Sequence, residues 1–293
     1  MQIAALCLYI DRKTQGPKLR SLFFNVFFIA VTILYALVCV VLSLLPWRNP
    51  MMASLNRYTR LMVWGMRRIA GIDVRVTGHE HIPEGAVIIA GKHQSYGDGF
   101  VAFSQFRDLS FVAGDAITRY PFIGRILFKM NAVVINNCGG EDQRKKMSDS
   151  AAIVREQGRK ILIYPEGHLS KIGTQHRYRK GVYHLYRDFD CPVVPLASNL
   201  GQRWNQNDWT KHKGRADLEF LPPIMPGLGK DEFMETLETM IETRSIELLD
   251  LEDLGSLNPE DIGKTEENDV ARAKREALEN ENAKATPSNK VNP

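Results

Sequence analysis

Between residues 72 and 224 the chain alternates short apolar runs with stretches in which apolar residues recur every third or fourth position. The short runs predict strands at 73–77, 86–90, 109–113, 132–136, 160–164, 193–197 and 216–221. The longer-period stretches predict helices at 98–107, 121–130, 142–157 and 178–189. Brief apolar runs bounded by turn residues suit buried strands, whereas the three-to-four spacing puts side chains on one helical face. Alternation of the two predicts an α/β domain over 72–254, with a central mixed sheet flanked by helices. Pro222-Pro223 and Pro226-Gly227 then break the pattern, and an acidic helix at 230–252 follows, with Phe233, Leu237, Met240, Ile241 and Leu248 on one stripe. Beyond Gly255 the chain is polar, charged and almost free of aromatic residues, so 255–293 reads as a disordered tail.

The N-terminal region has a different pattern. After a short segment, 1–21, no residue from Leu22 to Leu45 is charged, and Pro46-Trp47 closes the run. This 22–47 segment is long enough to cross a bilayer with some tilt. It is too long for the apolar part of a secretory signal and has no small-residue cleavage site. Arg12, Lys13, Lys18 and Arg20 precede it and Arg48, Arg57 and Arg60 follow it, so flanking charge does not fix an orientation. In the next segment, 51–71, Leu55, Tyr58, Met62, Met66 and Ile69 share one helical face, opposite Arg57, Arg60, Arg67 and Arg68. With Trp64, that fits an amphipathic basic helix in a membrane interface, or equally one docked on the domain.

Charge sharpens this picture. Residues 231–293 hold 7 Lys/Arg against 17 Asp/Glu, while the whole chain is +4, so the first 230 residues carry about +14. A basic front half suits an anionic surface or substrate: phospholipid head groups, a phosphorylated ligand or nucleic acid. The positive residues cluster around the apolar segment and no nucleic-acid motif is present, which argues against nucleic acid. Cys7, Cys39, Cys138 and Cys191 fall at no metal or disulfide spacing and read as reduced, buried residues of a cytosol-facing protein.

Candidate chemistry sits where two predicted strands end. His93 and Asp98 follow the run Ala86–Ala90, and Tyr164-Pro165-Glu166-Gly167 follows Ile161–Ile163. A histidine oriented by a carboxylate makes a general base near neutral pH. Residues five apart in one helix diverge by about 140°, so His93 must lie in the turn and Asp98 near the start of the next helix. Gly91, Gly97 and Gly99 make such a turn feasible. A second His-x4-Asp, His212 with Asp217, lies in Lys211-His212-Lys213-Gly214-Arg215, which reads as a solvated charge run. His79-x-His81 reads as a strand-end turn rather than a metal pair. Ser95 lacks a Gly-x-Ser-x-Gly setting and reads as a helix cap.

Taken together and in this order, these blocks resemble the glycerolipid (lysophospholipid) acyltransferase family. That family has an Asn-His-x4-Asp block, here Lys92-His93 to Asp98, and a Phe-Pro-Glu-Gly-Thr-Arg block, here Tyr164 to Leu169. Pro121-Phe122-Ile123-Gly124, Pro192-Val193-Val194-Pro195 and Glu219–Ile224 match further family segments, so the resemblance spans about residues 72–250. It implies transfer of a fatty acyl group from acyl-CoA or acyl carrier protein to a lysolipid hydroxyl at a membrane, without cofactor or metal. His93 would be the general base and Asp98 its orienting carboxylate, with substrate contacts from Glu166, Gly167, His168, Asn137 and Pro195. It also implies a bacterial inner-membrane location with the domain facing the cytoplasm, where acyl thioesters are found.

Two positions depart from the family pattern. Asn137 and Leu169 stand where arginines associated with the acceptor phosphate are expected, and Lys171, Arg177, Arg179 or Lys180 are the candidate replacements. Lysophosphatidate is the expected acceptor, and a phosphate-free one, such as a hydroxylated lyso-aminolipid, is the alternative. A lipid hydrolase would need a nucleophile in a strained turn, and the sequence offers none.

Overall fold

The computed structural model describes residues 16–114, 123–135, 145, 149, 152–206 and 208–266. The seven apolar runs form β1 (Ile72–Thr77), β2 (Val87–Gly91), β3 (Leu109–Gly114), β4 (Val133–Ile135), β5 (Lys160–Ile163), β7 (Val193–Ser198) and β8 (Gly214–Phe220). They make one sheet in the order β1-β8-β7-β2-β5-β3-β4, parallel throughout except where β7 meets β8. Every residue of β2 and β7 is buried. On β2, Val87 and Ile89 face one apolar cluster, while Ile88 and Ala90 face the other. A strand covered on both faces needs no polar alternation, which is why the sequence shows unbroken apolar runs there.

Among the described residues the sheet is framed by the helices α1 (Gly16–Leu44), α2 (Asn49–Gly65), α3 (Tyr96–Ser104), α4 (Ile123–Met130), α5 (Gly181–Phe189) and α6 (Lys230–Glu247). A π-type turn, Met66–Ala70, continues α2. Residues 152–156 are helical, and most of the helix expected at 142–157 lies outside the described residues. Phe233, Leu237 and Ile241 of α6 are buried against the second face of the sheet, as their spacing predicts. Cys39 and Cys191 are buried free thiols, and Cys7 and Cys138 lie outside the described residues.

Two expectations are corrected. Residues 255–266 are not part of a tail. They form a strap in which Leu257 is buried, the Gly263 amide donates to Gly173 O (2.9 Å), and β9 (Thr265–Glu266) pairs with β6 (Gln175–His176). Lys171 and Asp261 close it with a 2.7 Å ion pair. Nor is Lys211 solvated. It is 3% exposed, its Nζ donates to Trp209 O (2.9 Å) 5.5 Å from the centre of the Trp204 ring, and burial pushes its pKa down to about 8.

Helix α1 is tied to the domain near both ends. The Lys211 amide donates to Ser21 Oγ (2.8 Å) and Asn25 Nδ2 to Trp209 O (3.0 Å); near the other end Lys129 Nζ donates to Leu42 O (3.0 Å) and to Leu45 O. Ser21 and Leu42 are about 30 Å apart along the helix axis. Between them Phe24, Asn25 and Cys39 face inward, while Phe23, Val26, Ile33, Leu37 and Val41 stand at least half exposed. Thus α1 runs along the flank of the domain, with an apolar face outward. In α2, Met62 is buried while Arg57, Arg60 and Trp64 face out.

Candidate active site

β2 and β5 are direct neighbours, with Ala90 opposite Ile163, so the segments leaving their C-terminal ends lie side by side. That edge is where open α/β sheets hold their ligands. Ser95, in extended conformation, is the N-cap of α3, and its Oγ accepts from the Gly97 amide (3.0 Å). Asp98 at the third helical position completes a capping box: its Oδ2 accepts from the amides of Ser95 (2.8 Å) and Gln94 (2.7 Å). The same oxygen lies 3.4 Å from His93 Nδ1, and Oδ1 accepts from Ser198 Oγ (3.1 Å). One buried carboxylate therefore serves helix cap and histidine together. The glycines act differently from the expectation. None of Gly91, Gly97 and Gly99 has positive φ, and a Cβ on Gly97 would come within 2.8 Å of Leu200. Gly97 is required for close packing, and the cap makes the turn.

The His93 ring lies against Tyr164, with centroids 3.9 Å apart and planes 12° from parallel. Burial first, then the Asp98 charge, holds the Tyr164 phenol well above its ordinary pKa, so it stays a neutral wall for the imidazole. The backbone is fixed as well. His93 N donates to Glu166 Oε1 (2.8 Å), while His93 O accepts from the amide (2.7 Å) and hydroxyl (3.1 Å) of Ser170.

His93 opens into a cavity of about 220 Å³ lined also by Val112, Ala113, Tyr164, Gly167, His168 and Arg179. Gly167 has φ 75°, and a Cβ there would fall 2.4 Å from Arg179 Nε. The Pro-Glu-Gly turn thus needs glycine twice, for its backbone and to admit the guanidinium.

Of the residues expected in the site, His93, Gly167 and His168 line the cavity and Asp98 stands behind His93. Glu166, expected to touch substrate, is instead enclosed: its side chain is 0% exposed and divided between the His93 amide and Lys92 Nζ (3.1 Å). Pro195 also lies away from the cavity, buried in β7 opposite Ala90, because the sheet takes up that run. Asn137 lies outside the described residues. Among the four candidate cations only Arg179 lines the cavity; Lys171 is held by Asp261. His212 pairs with Asp208 (3.1 Å) rather than Asp217, which takes Arg215. His79 and His81 form a turn, with the His81 ring 2.8 Å from Phe220 O. Sequence reasoning passed over Tyr164 as a ring partner, Ser198 and Lys92. A polar residue at the end of an otherwise apolar run was the available signal for Tyr164 and Ser198; nothing local announced the burial of Lys92.

Comparison with known proteins bears on the same region. A family model described as acyltransferase matches residues 73–199, from β1 to just past β7. The 1-acyl-sn-glycerol-3-phosphate acyltransferase of Pseudomonas aeruginosa is 29% identical over 181 residues, covering 62% of this chain and 70% of that enzyme. Over residues 73–199 the chain is similar to this acyltransferase family. The corresponding enzyme of Limnanthes douglasii is 23% identical over 190 residues, 63% of this chain and 66% of the relative. The crystal structure of the Thermotoga maritima 1-acyl-sn-glycerophosphate (LPA) acyltransferase, PlsC, has the same fold. It superposes with a TM-score of 0.63 at 18% identity, covering 79% of this chain and 97% of that one. This likeness supports an acyltransferase of lipid biosynthesis, with a lipid acceptor and an acyl donor.

Proposed function

We propose that this enzyme moves a fatty acyl group from an acyl thioester, acyl-CoA or acyl carrier protein, to the free hydroxyl of lysophosphatidate, with His93 as general base. The carrying observation is a histidine whose ring opens to the cavity while its Nδ1 faces a fixed, buried carboxylate. In this reading Nε2 takes the hydroxyl proton as the oxygen attacks the thioester carbonyl, and Asp98 holds the tautomer and stabilises the imidazolium. The tetrahedral intermediate expels the thiolate, which recovers the proton. No acyl-enzyme is involved: Ser95 is fully buried and its Oγ caps a helix. Val112, Ala113 and Val182 give the acyl chain an apolar wall, and Arg179 offers the acceptor phosphate a charge where Leu169 does not.

In the same reading the protein sits on the cytoplasmic leaflet of a bacterial inner membrane, with α1 lying in the leaflet rather than crossing it. A helix bonded to one folded domain at points about 30 Å apart would drag that domain through the bilayer if it spanned. Outward Trp64, Arg57 and Arg60 suit the head-group level.

The test is acyl transfer from a labelled thioester by detergent-purified enzyme, with lysophosphatidate and a hydroxylated lyso-aminolipid as parallel acceptors. Transfer to lysophosphatidate is the expected outcome. Transfer only to the phosphate-free lipid would show that the lost arginine at 169 marks a change of substrate.

A further inference from the structure

A buried charged cluster lies directly behind the His93 turn. Lys92 Nζ donates to Glu242 Oε1 (2.8 Å) and Oε2 (2.9 Å), Thr174 O (3.0 Å) and Glu166 Oε2 (3.1 Å). Tyr178 Oη donates to Glu242 Oε1 (2.7 Å). The side chains of Lys92 and Glu166 are 0% exposed and that of Glu242 5%. Glu242 is on α6, beyond the segment matched by the family model.

We propose that Lys92 and Glu242 act together as positioning residues for the catalytic histidine, by setting how the Glu166 carboxylate is shared. This rests on the reading of His93 as the base. Glu166 has two jobs, one oxygen on the Lys92 ammonium and the other on the His93 amide. An ammonium has three donors, and Glu242 supplies two of the four oxygens around it. Without the Glu242 charge, a buried cation is left with one carboxylate, and Glu166 is drawn onto it and away from His93 N. Without Lys92, two carboxylates share a closed space with no cation, and Glu166 must shift or take up a proton. Either change releases the backbone of the residue whose ring has to stay between Asp98 and the cavity. In the family block that Lys92-His93 resembles, the first residue is Asn, which needs no second carboxylate. The two charges therefore belong together, and removing both is less harmful than removing either.

The experiment compares kcat, KM and thermal unfolding for wild type, E242Q, E242D, K92N, K92N/E242Q and H93A in the thioester-to-lysophosphatidate assay. E242Q and K92N are each expected to lower kcat roughly 10- to 100-fold, with both KM values within about 2-fold. The double variant is expected to recover about 5-fold or more over the worse single, and E242D to outperform E242Q. A role in packing alone would lower unfolding temperatures while leaving kcat of the folded enzyme unchanged. That result, or a double variant as impaired as the product of its singles, overturns the proposal. If K92N does not fold, equal losses in E242Q and E242D overturn it instead. Full activity in H93A would refute the catalytic reading itself; an inactive H93A beside fully active E242Q and K92N refutes the positioning role only.

Discussion

The two turns that leave β2 and β5 lie next to each other and are held differently. The β2 turn has its own cap: Ser95 and Asp98 cap a helix that begins at residue 96, and the carboxylate forming the cap also faces His93, while Glu166 and Ser170 of the β5 loop hold the His93 backbone. The β5 turn depends on distant chain: Glu166 answers to Lys92 and through it to Glu242, while the loop beyond it is strapped by residues 255–266. The first keeps His93 and Asp98 of the family pattern and departs at Lys92; the second keeps Pro165, Glu166 and Gly167 and departs at Tyr164, His168 and Leu169. The cap leaves the His93–Asp98 pair little freedom to drift, whereas the β5 loop can change residues 168 and 169 as long as Glu166 keeps its bond to the His93 amide.

Variants that break one turn and spare the other sharpen this contrast. Asp98→Asn is expected to have the largest effect: kcat falls about 10²- to 10⁴-fold because the ring loses its charged partner. The uncharged amide oxygen still accepts from the Gln94 and Ser95 amides but more weakly, which is expected to cost about 1 kcal/mol in stability, read by urea unfolding. Next is Arg179→Ala, expected to raise KM for lysophosphatidate about 10- to 100-fold, the worth of a charge-assisted hydrogen bond, with kcat and donor KM nearly constant. Ser198→Ala removes one donor from the buried Asp98 carboxylate. It is expected to cost about 1–2 kcal/mol in unfolding free energy and less than about 10-fold in kcat. Lys171→Ala opens an ion pair whose lysine is half exposed, so stability should change by less than about 1 kcal/mol and acceptor KM by about 2-fold.

The same contrast explains what could be read in advance. All seven strands of the main sheet were legible, because strands such as β2 and β7 are buried on both faces and announce themselves as apolar runs. His93 and Asp98 were legible because their partnership lies within six residues and needs only a strand, a turn and a cap. The strap was not: Gly255 to Glu266 is polar, and its order comes from Leu257 and from main-chain bonds to residues 173–175, which periodicity does not report. Lys92 was illegible for a related reason. A lysine is expected at the surface, and the two carboxylates that let it be buried lie 74 and 150 positions away. Glu166 was assigned to substrate because the family block names it, but its buried ties to Lys92 and His93 are visible only in three dimensions.

The most direct test of the whole account is single-turnover acyl transfer from a labelled thioester to lysophosphatidate, comparing wild type with His93→Ala of equal thermal stability. A fall of at least about 10³-fold in the chemical step is expected if the imidazole is the base. Retention of more than about a tenth of the wild-type rate would contradict the account and place the proton acceptor elsewhere.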